Sequence, residues 1–137
     1  MDSVSKVQHW MQKNATEPGL RRMLVSYLKK RGRIQMSNLL PHSMQGMLHQ
    51  MTNRYAKIAK IQDRLGWYCL MEDRIPSILV QHQHKHIKST QNQMTTKRWV
   101  DGMIRQLTGV VHRQWVYQNT LVYFRRQGGV SQISLTR

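Results

Sequence analysis

Apolar residues along this chain recur at spacings of three and four rather than two, a period that predicts helices and few strands. The first helix is expected to start near Ser3, with Val4, Val7 and Trp10 or Met11 on one stripe, and to stop at "NATEPG". Thr16 suits the N-cap of a second helix, with Pro18 in its first turn, where a missing N–H costs little. Leu20, Leu24, Tyr27 and Leu28 then share a face, and "KKRGR" ends the helix at Gly32. A loop is expected through "IQMSNLLP". Ser43 is the expected cap of a long third helix striped by Met44, Met47, Leu48, Met51, Tyr55, Ile58 and Leu65, with Arg54, Lys57, Lys60 and Arg64 opposite.

Gly66 interrupts that pattern before "WYCLMEDRIP". Pro76 suits the first turn of a fourth helix, in which Ile75, Leu79, His82 and His86 fall on one face. The polar connector "KSTQNQMTT" leads to the last and longest helix, capped by Thr95 or Thr96. Its stripe is Trp99, Met103, Leu107, Val110, Val111, Gln114, Trp115, Leu121 and Val122, with Lys97, Asp101, Arg105, Thr108 and His112 on the far side. Gly102 and Gly109 weaken this helix by about 1 kcal/mol each relative to Ala, which either a close helix crossing offsets or a lack of selection explains. Gly128 and Gly129 end it. The expected fold is all-α, about five helices in a small bundle framed by two long ones, with one domain over residues 1–127 and a loose tail over 128–137.

Charge changes the picture most. The 137 residues include 22 Lys plus Arg against 6 Asp plus Glu, a formal net charge of +16. Such an excess repels itself in a compact state and suits a polyanionic partner, RNA or DNA, whose counterions Lys and Arg replace. The candidate contacts are Arg21 and Arg22, the "KKRGR" cations Lys29, Lys30, Arg31 and Arg33, Lys57 and Lys60 on the third helix, and Arg125 and Arg126. Tyr27, Tyr55 and Tyr123 lie near these clusters and suit either base stacking or the core. The 10 Met residues, mostly on apolar stripes, suit adaptable core filling or a face for a neighbouring domain or second copy.

Catalysis has little to work with. Two-metal phosphodiester chemistry needs clustered carboxylates, but Asp2, Glu17, Asp63, Glu72, Asp73 and Asp101 are scattered. There is no phosphate-cradling glycine loop and no nucleophile elbow. The single Cys69 permits no internal disulfide and no cysteine-based zinc site. In "VQHQHKHIK" a helix splits the histidines: His82 and His86 share a face and His84 points away. A zinc site would need further ligands, so burial or half-burial of His82 and His86 on the stripe is the expected role, with His84, Lys85 and Lys88 on a solvated face able to touch phosphate. The expectation is therefore a non-enzyme with no metal or cofactor. No apolar run reaches a membrane-spanning length and the N-terminus lacks a secretory h-region, which leaves a nuclear or cytoplasmic location.

From "QDRLGWYCLMEDRIP" onward the chain resembles an uncharacterised segment of mobile-element-like proteins of microbial eukaryotes, found in or after reverse-transcriptase-type reading frames. That segment runs roughly Gln-x-x-Ile-Gly-Trp-x-x-Phe-x-x-Gly-Arg-Ile, then a Trp opening a helix, then Gln-Trp-x-x-Arg-Asn and a His. Gln62, Leu65, Gly66, Trp67, Leu70, Arg74 and Ile75 match the first part. Trp99, Gln114, Trp115 and Asn119 match the second, and Trp10, Thr16, Pro18 and Leu20 fit its earlier pattern. Asp73 stands where Gly is usual, Pro76 and Leu79 replace a polar residue and a Trp, and Gln118 replaces the Arg. The resemblance spans about residues 5 to 125. It implies a non-catalytic helical appendage of a retroelement protein, or a degraded copy of one.

Overall fold

Helical periodicity decides the architecture. The computed structural model describes residues 3–44 and 49–129 and contains seven helices and no strand among them. They are α1 (Ser3–Lys13), α2 (Pro18–Lys29), α3 (Met36–Ser43), α4 (His49–Leu65), α5 (Trp67–Met71), α6 (Ser77–Ser89) and α7 (Thr96–Gly129). The all-α expectation holds, with two more helices than expected. Residues 130–137, which hold most of the expected tail, lie outside the described residues.

The additions are α3, ahead of the expected third helix, and the single turn α5, after it. The "MSNLLP" segment, expected as a loop, is α3. Met36 at 1% exposure anchors it in the core, and Leu39 and Leu40 pack alongside. Pro41 reads as a helix breaker, but it sits in the last turns on the exposed side. Ser43 is not a cap: its hydroxyl donates to Leu39 O and accepts from the Ser26 hydroxyl, tying α3 to α2. Of the expected third-helix stripe, Met44 ends α3 instead, Met47 and Leu48 lie outside the described residues, and Leu65 is exposed at 48%. The line that α4 buries is Tyr55, Ile58, Ala59 and Gln62.

Gly66 then makes a turn that only glycine adopts without strain, at φ 77° and ψ 175°. It separates α4 from the single-turn α5. At the last connection Thr95 is the cap: its hydroxyl accepts Arg98 N–H at 3.2 Å, while Thr96 Oγ1 pairs with His84 Nδ1.

The core draws side chains from all seven helices. Val7, Met11, Leu20, Leu24, Leu28, Ile58, Leu70, Leu79, Trp99, Met103 and Leu107 are each no more than 2% exposed. Trp99 is central. Its indole Nε1–H donates to Thr16 Oγ at 2.9 Å, joining α7 to the turn before α2.

The two α7 glycines differ in what surrounds them. A Cβ on Gly102 would lie 2.2 Å from Trp10 Cζ2 of α1, whereas one on Gly109 would meet nothing within 4 Å. The close crossing therefore exists at one site and not at the other. Gly109→Ala is expected to stabilise the protein by about 0.5–1 kcal/mol through helix propensity. Gly102→Ala is expected to destabilise it, because overpacking against Trp10 costs about 1–3 kcal/mol. Urea midpoints of the two variants check this, and equal shifts in the same direction would contradict it.

Candidate nucleic-acid interface

The most organised polar cluster is built around a carboxylate. Glu17, not Thr16, is the N-cap of α2, with Pro18 following in the first turn. Thr16 cannot serve because its hydroxyl is engaged by Trp99. One carboxylate oxygen of Glu17 accepts Gly19 N–H at 3.0 Å and Tyr55 O–H at 2.8 Å. The other accepts Leu20 N–H at 3.0 Å and lies 2.7 Å from His82 Nε2, which must donate because a carboxylate only accepts.

The backbone of the same residue is also held. Glu17 N–H donates to Gln83 Oε1 at 2.9 Å, and Gln83 Nε2 donates to Ala15 O at 2.8 Å. Gln83 is fully buried in the line Leu79, Gln83, Ile87 that α6 turns to the core. His82 and His86 lie beside that line and are half-buried, within the expectation for them, although the stripe itself is centred instead on Gln83 and Ile87.

Close approach makes this geometry possible. The Tyr55 ring lies over Gly19, where a Cβ would come within 2.3 Å of it. The Tyr55 and His82 rings meet edge to face with centroids 5.2 Å apart. Burial opposes the Glu17 charge, but the hydrogen bonds from His82, Gly19, Tyr55 and Leu20 prevail and lower its pKa to about 2. Burial, and then the adjacent Glu17 carboxylate, push the Tyr55 phenol well above its usual range.

Next to the cluster is a hollow of about 430 Å³ lined by Glu17, Arg54, Tyr55, His82, Lys85, His86 and Ser89. A second, of about 310 Å³, lies along the α4–α6 seam and is lined by Arg54, Lys57, Ile58, Ile78, Gln81, His82 and Lys85. Sharing Arg54, His82 and Lys85, the two form one groove, with Arg54 and Lys57 on the α4 bank and Lys85 on the α6 bank. Glu17 faces it with all four lone-pair positions already used, so the groove is left with cationic donors.

The sequence candidates distribute as follows. Lys57 lies in the groove, and Lys60 is exposed on α4 beyond it. Arg21 and Arg22 line a separate hollow of about 310 Å³ with Gln8, Val25, Ser26, His42 and Ser43. Arg22 also reaches the cluster electrostatically, acting with Arg54 on Tyr55. Lys29, Lys30, Arg31 and Arg33 are exposed at the end of α2 and in the turn after it. Arg125 and Arg126 fall on α7, but their side chains lie outside the described ones, as does that of Tyr123. Tyr27 and Tyr55, at 3% exposure each, belong to the core.

Sequence reasoning missed Glu17 and Gln83 and did not join Arg54 to Lys85. The spacing of His82, Lys85, His86 and Ser89 along one helical face was the available signal. Cys69 is buried, its thiol 3.3 Å from Arg74 O, and burial raises its pKa, which disfavours the reactive thiolate. Among the described residues no group of three or more His, Cys, Asp and Glu is placed to hold a metal ion, and no helix is long and apolar enough to cross a membrane.

Fold and groove together define a strongly basic all-α protein with a cationic α4–α6 surface. Compared with protein-family models, curated proteins and solved structures, the chain matches none.

Proposed function

We propose that this protein is a non-catalytic basic helical module that binds the RNA or DNA backbone without sequence specificity. The carrying observation is the α4–α6 groove, where Arg54, Lys57 and Lys85 converge while the one acid, Glu17, is fully hydrogen-bonded. Cations of this kind bind phosphate mainly by releasing condensed counterions, so affinity depends on charge and salt and little on base identity. The net charge of +16 supplies the wider attracting field.

A mobile-element origin is part of the proposal. It rests on the matched residues around Gly66 and Trp67 and on one backbone feature. Asp73, where the resembling segment has Gly, adopts φ 61°, a conformation that glycine takes freely and other residues seldom do. The parent reading frame is the check: a polymerase domain upstream is expected, and a frame without one overturns this part.

Anisotropy titrations of labelled RNA and DNA from about 50 to about 300 mM salt test the binding itself, with log affinity expected to fall steeply and linearly with log salt. In the Arg54→Gln, Lys85→Gln double variant the slope on duplex DNA is expected to shrink by about 1.8, roughly 0.9 for each lost phosphate contact. A salt-independent affinity, or a slope untouched by the double variant, overturns the groove as the contact surface.

A further inference from the structure

The large apolar side chains left exposed among the described residues are Ile34 at 37%, Leu65 at 48% and Tyr68 at 73%. All three fall within two residues of a single contact, that of the Trp67 ring with Gly32. At Gly32 a Cβ would come within 2.4 Å of Trp67 Cγ, and the backbone φ is 77°, so only glycine fits there. Trp67 also meets Tyr27 edge to face, with centroids 5.5 Å apart. The contact thus brings the exposed apolar residues to the "KKRGR" turn.

Tyr68 is exposed but not loosely attached. Its neighbour Trp67 is wedged against α2. The preceding Gly66 is held at both ends, its N–H donating to Gln62 O at 2.7 Å and its carbonyl accepting Gln62 Nε2–H at 3.0 Å. The backbone of Tyr68 is therefore fixed while its ring faces water. Holding a large aromatic in this way gains nothing for the core, and it removes the entropy cost of ordering the ring when something stacks on it.

The surroundings indicate what stacks. Lys30, Arg33 and Arg64 are exposed at the same corner. The nearby acids are engaged: Asp63 accepts Ser37 N–H at 3.3 Å, and Glu72 is paired with Arg74. A fixed aromatic flanked by cations matches single-stranded nucleic acid, whose unpaired bases stack while neighbouring phosphates meet Lys and Arg. A duplex keeps its bases stacked inside and has none to offer.

We infer that Tyr68 is a base-stacking platform, with the Gly32 turn and Arg64 holding the flanking phosphates, and that this corner makes the protein prefer single strands. The inference rests on the nucleic-acid reading above and adds a site at the end of α4, built from residues that do not line the α4–α6 groove.

The experiment compares a labelled unstructured pyrimidine oligonucleotide with a duplex of the same length, at one salt concentration, for the unmodified protein, Tyr68→Ala and Tyr68→Phe. Tyr68→Ala is expected to lose about tenfold or more in single-strand affinity with duplex affinity unchanged, and Tyr68→Phe to keep both. Circular dichroism of Tyr68→Ala should match the unmodified protein, as expected at an exposed site. Failure of the unmodified protein to bind either nucleic acid overturns the nucleic-acid reading as well. Binding that is insensitive to Tyr68→Ala, or lost equally for both substrates, overturns the stacking site alone. Self-association by light scattering that Tyr68→Ala abolishes, with single-strand binding intact, overturns it in favour of a protein contact.

Discussion

Trp99→Ala is expected to cost about 3–5 kcal/mol, the largest loss available from a single side chain here. Trp99 is 0% exposed, and its indole does two things at once. The ring fills the space between α1 and α7, with the Trp10 centroid 6.5 Å away. Its Nε1–H donates to Thr16, itself only 4% exposed, so truncation also strands a buried hydroxyl. Small domains are stable by about 5–15 kcal/mol in total, so this variant is expected to be partly unfolded at moderate temperature and to have a sharply lower urea midpoint. Trp99→Phe separates the two effects. It keeps most of the volume and loses the donor, and a loss of about 1–3 kcal/mol is expected from the orphaned Thr16 oxygen alone. A Trp99→Ala variant within about 1 kcal/mol of the unmodified protein would show that the crossing repacks and that Trp99 is not its keystone.

The same tryptophan shows why part of the structure was legible in the sequence and part was not. Trp99, Met103, Leu107 and Val110 recur at helical spacing, and burial follows from that period without knowledge of any partner. The stripes of α1 and α2, the break at Gly66 and the two-sided character of α6 were readable for the same reason. What failed was each inference that stopped at local chemistry. Thr16 has the better intrinsic capping propensity, but a tryptophan 83 positions away takes its hydroxyl, and Glu17 caps instead. Pro41 looks like a terminator only until Met36 and Leu39 are seen to be drawn into the core, which holds the flanking turn helical. Gln83 is absent from the stripe read for its helix, yet it is buried because it bridges Ala15 and Glu17 across 68 and 66 positions. Tyr27, Tyr55 and Tyr123 lie near the charge clusters in sequence, yet among the described side chains Tyr68 is the tyrosine that reaches solvent, because Trp67 beside it is the residue pinned on Gly32. The candidate interface divides in the same way. Its charge is a composition signal and was visible, whereas the pairing of Arg54 with Lys85 is created by α4 meeting α6, and no spacing encodes it.

Glu17 gives the second large effect, read through pH. Its folded pKa of about 2 lies below the ordinary 4.5. The ionised carboxylate therefore favours the folded state, an advantage fully present above about pH 4.5 and lost as the pH falls from there toward 2. At 1.36 kcal/mol per unit the shift corresponds to roughly 3 kcal/mol. Because the side chain retains 14% exposure, screening reduces the expected contribution to about 2 kcal/mol. Glu17 shares the acid limb with the remaining five acids. Glu17→Gln isolates its share. The amide keeps the size but cannot ionise, and it offers one acceptor oxygen to four donors, two of them the α2 N–H groups. At pH 7 the variant is expected to be less stable by about 2 kcal/mol, with the gap closing as both proteins are acidified toward the point where Glu17 itself protonates. Urea unfolding at a series of pH values from about 7 down to about 2.5 measures that gap directly. A gap that stayed constant across the series would show that the charge of Glu17 contributes nothing and that only its shape holds Tyr55, His82 and the start of α2 together.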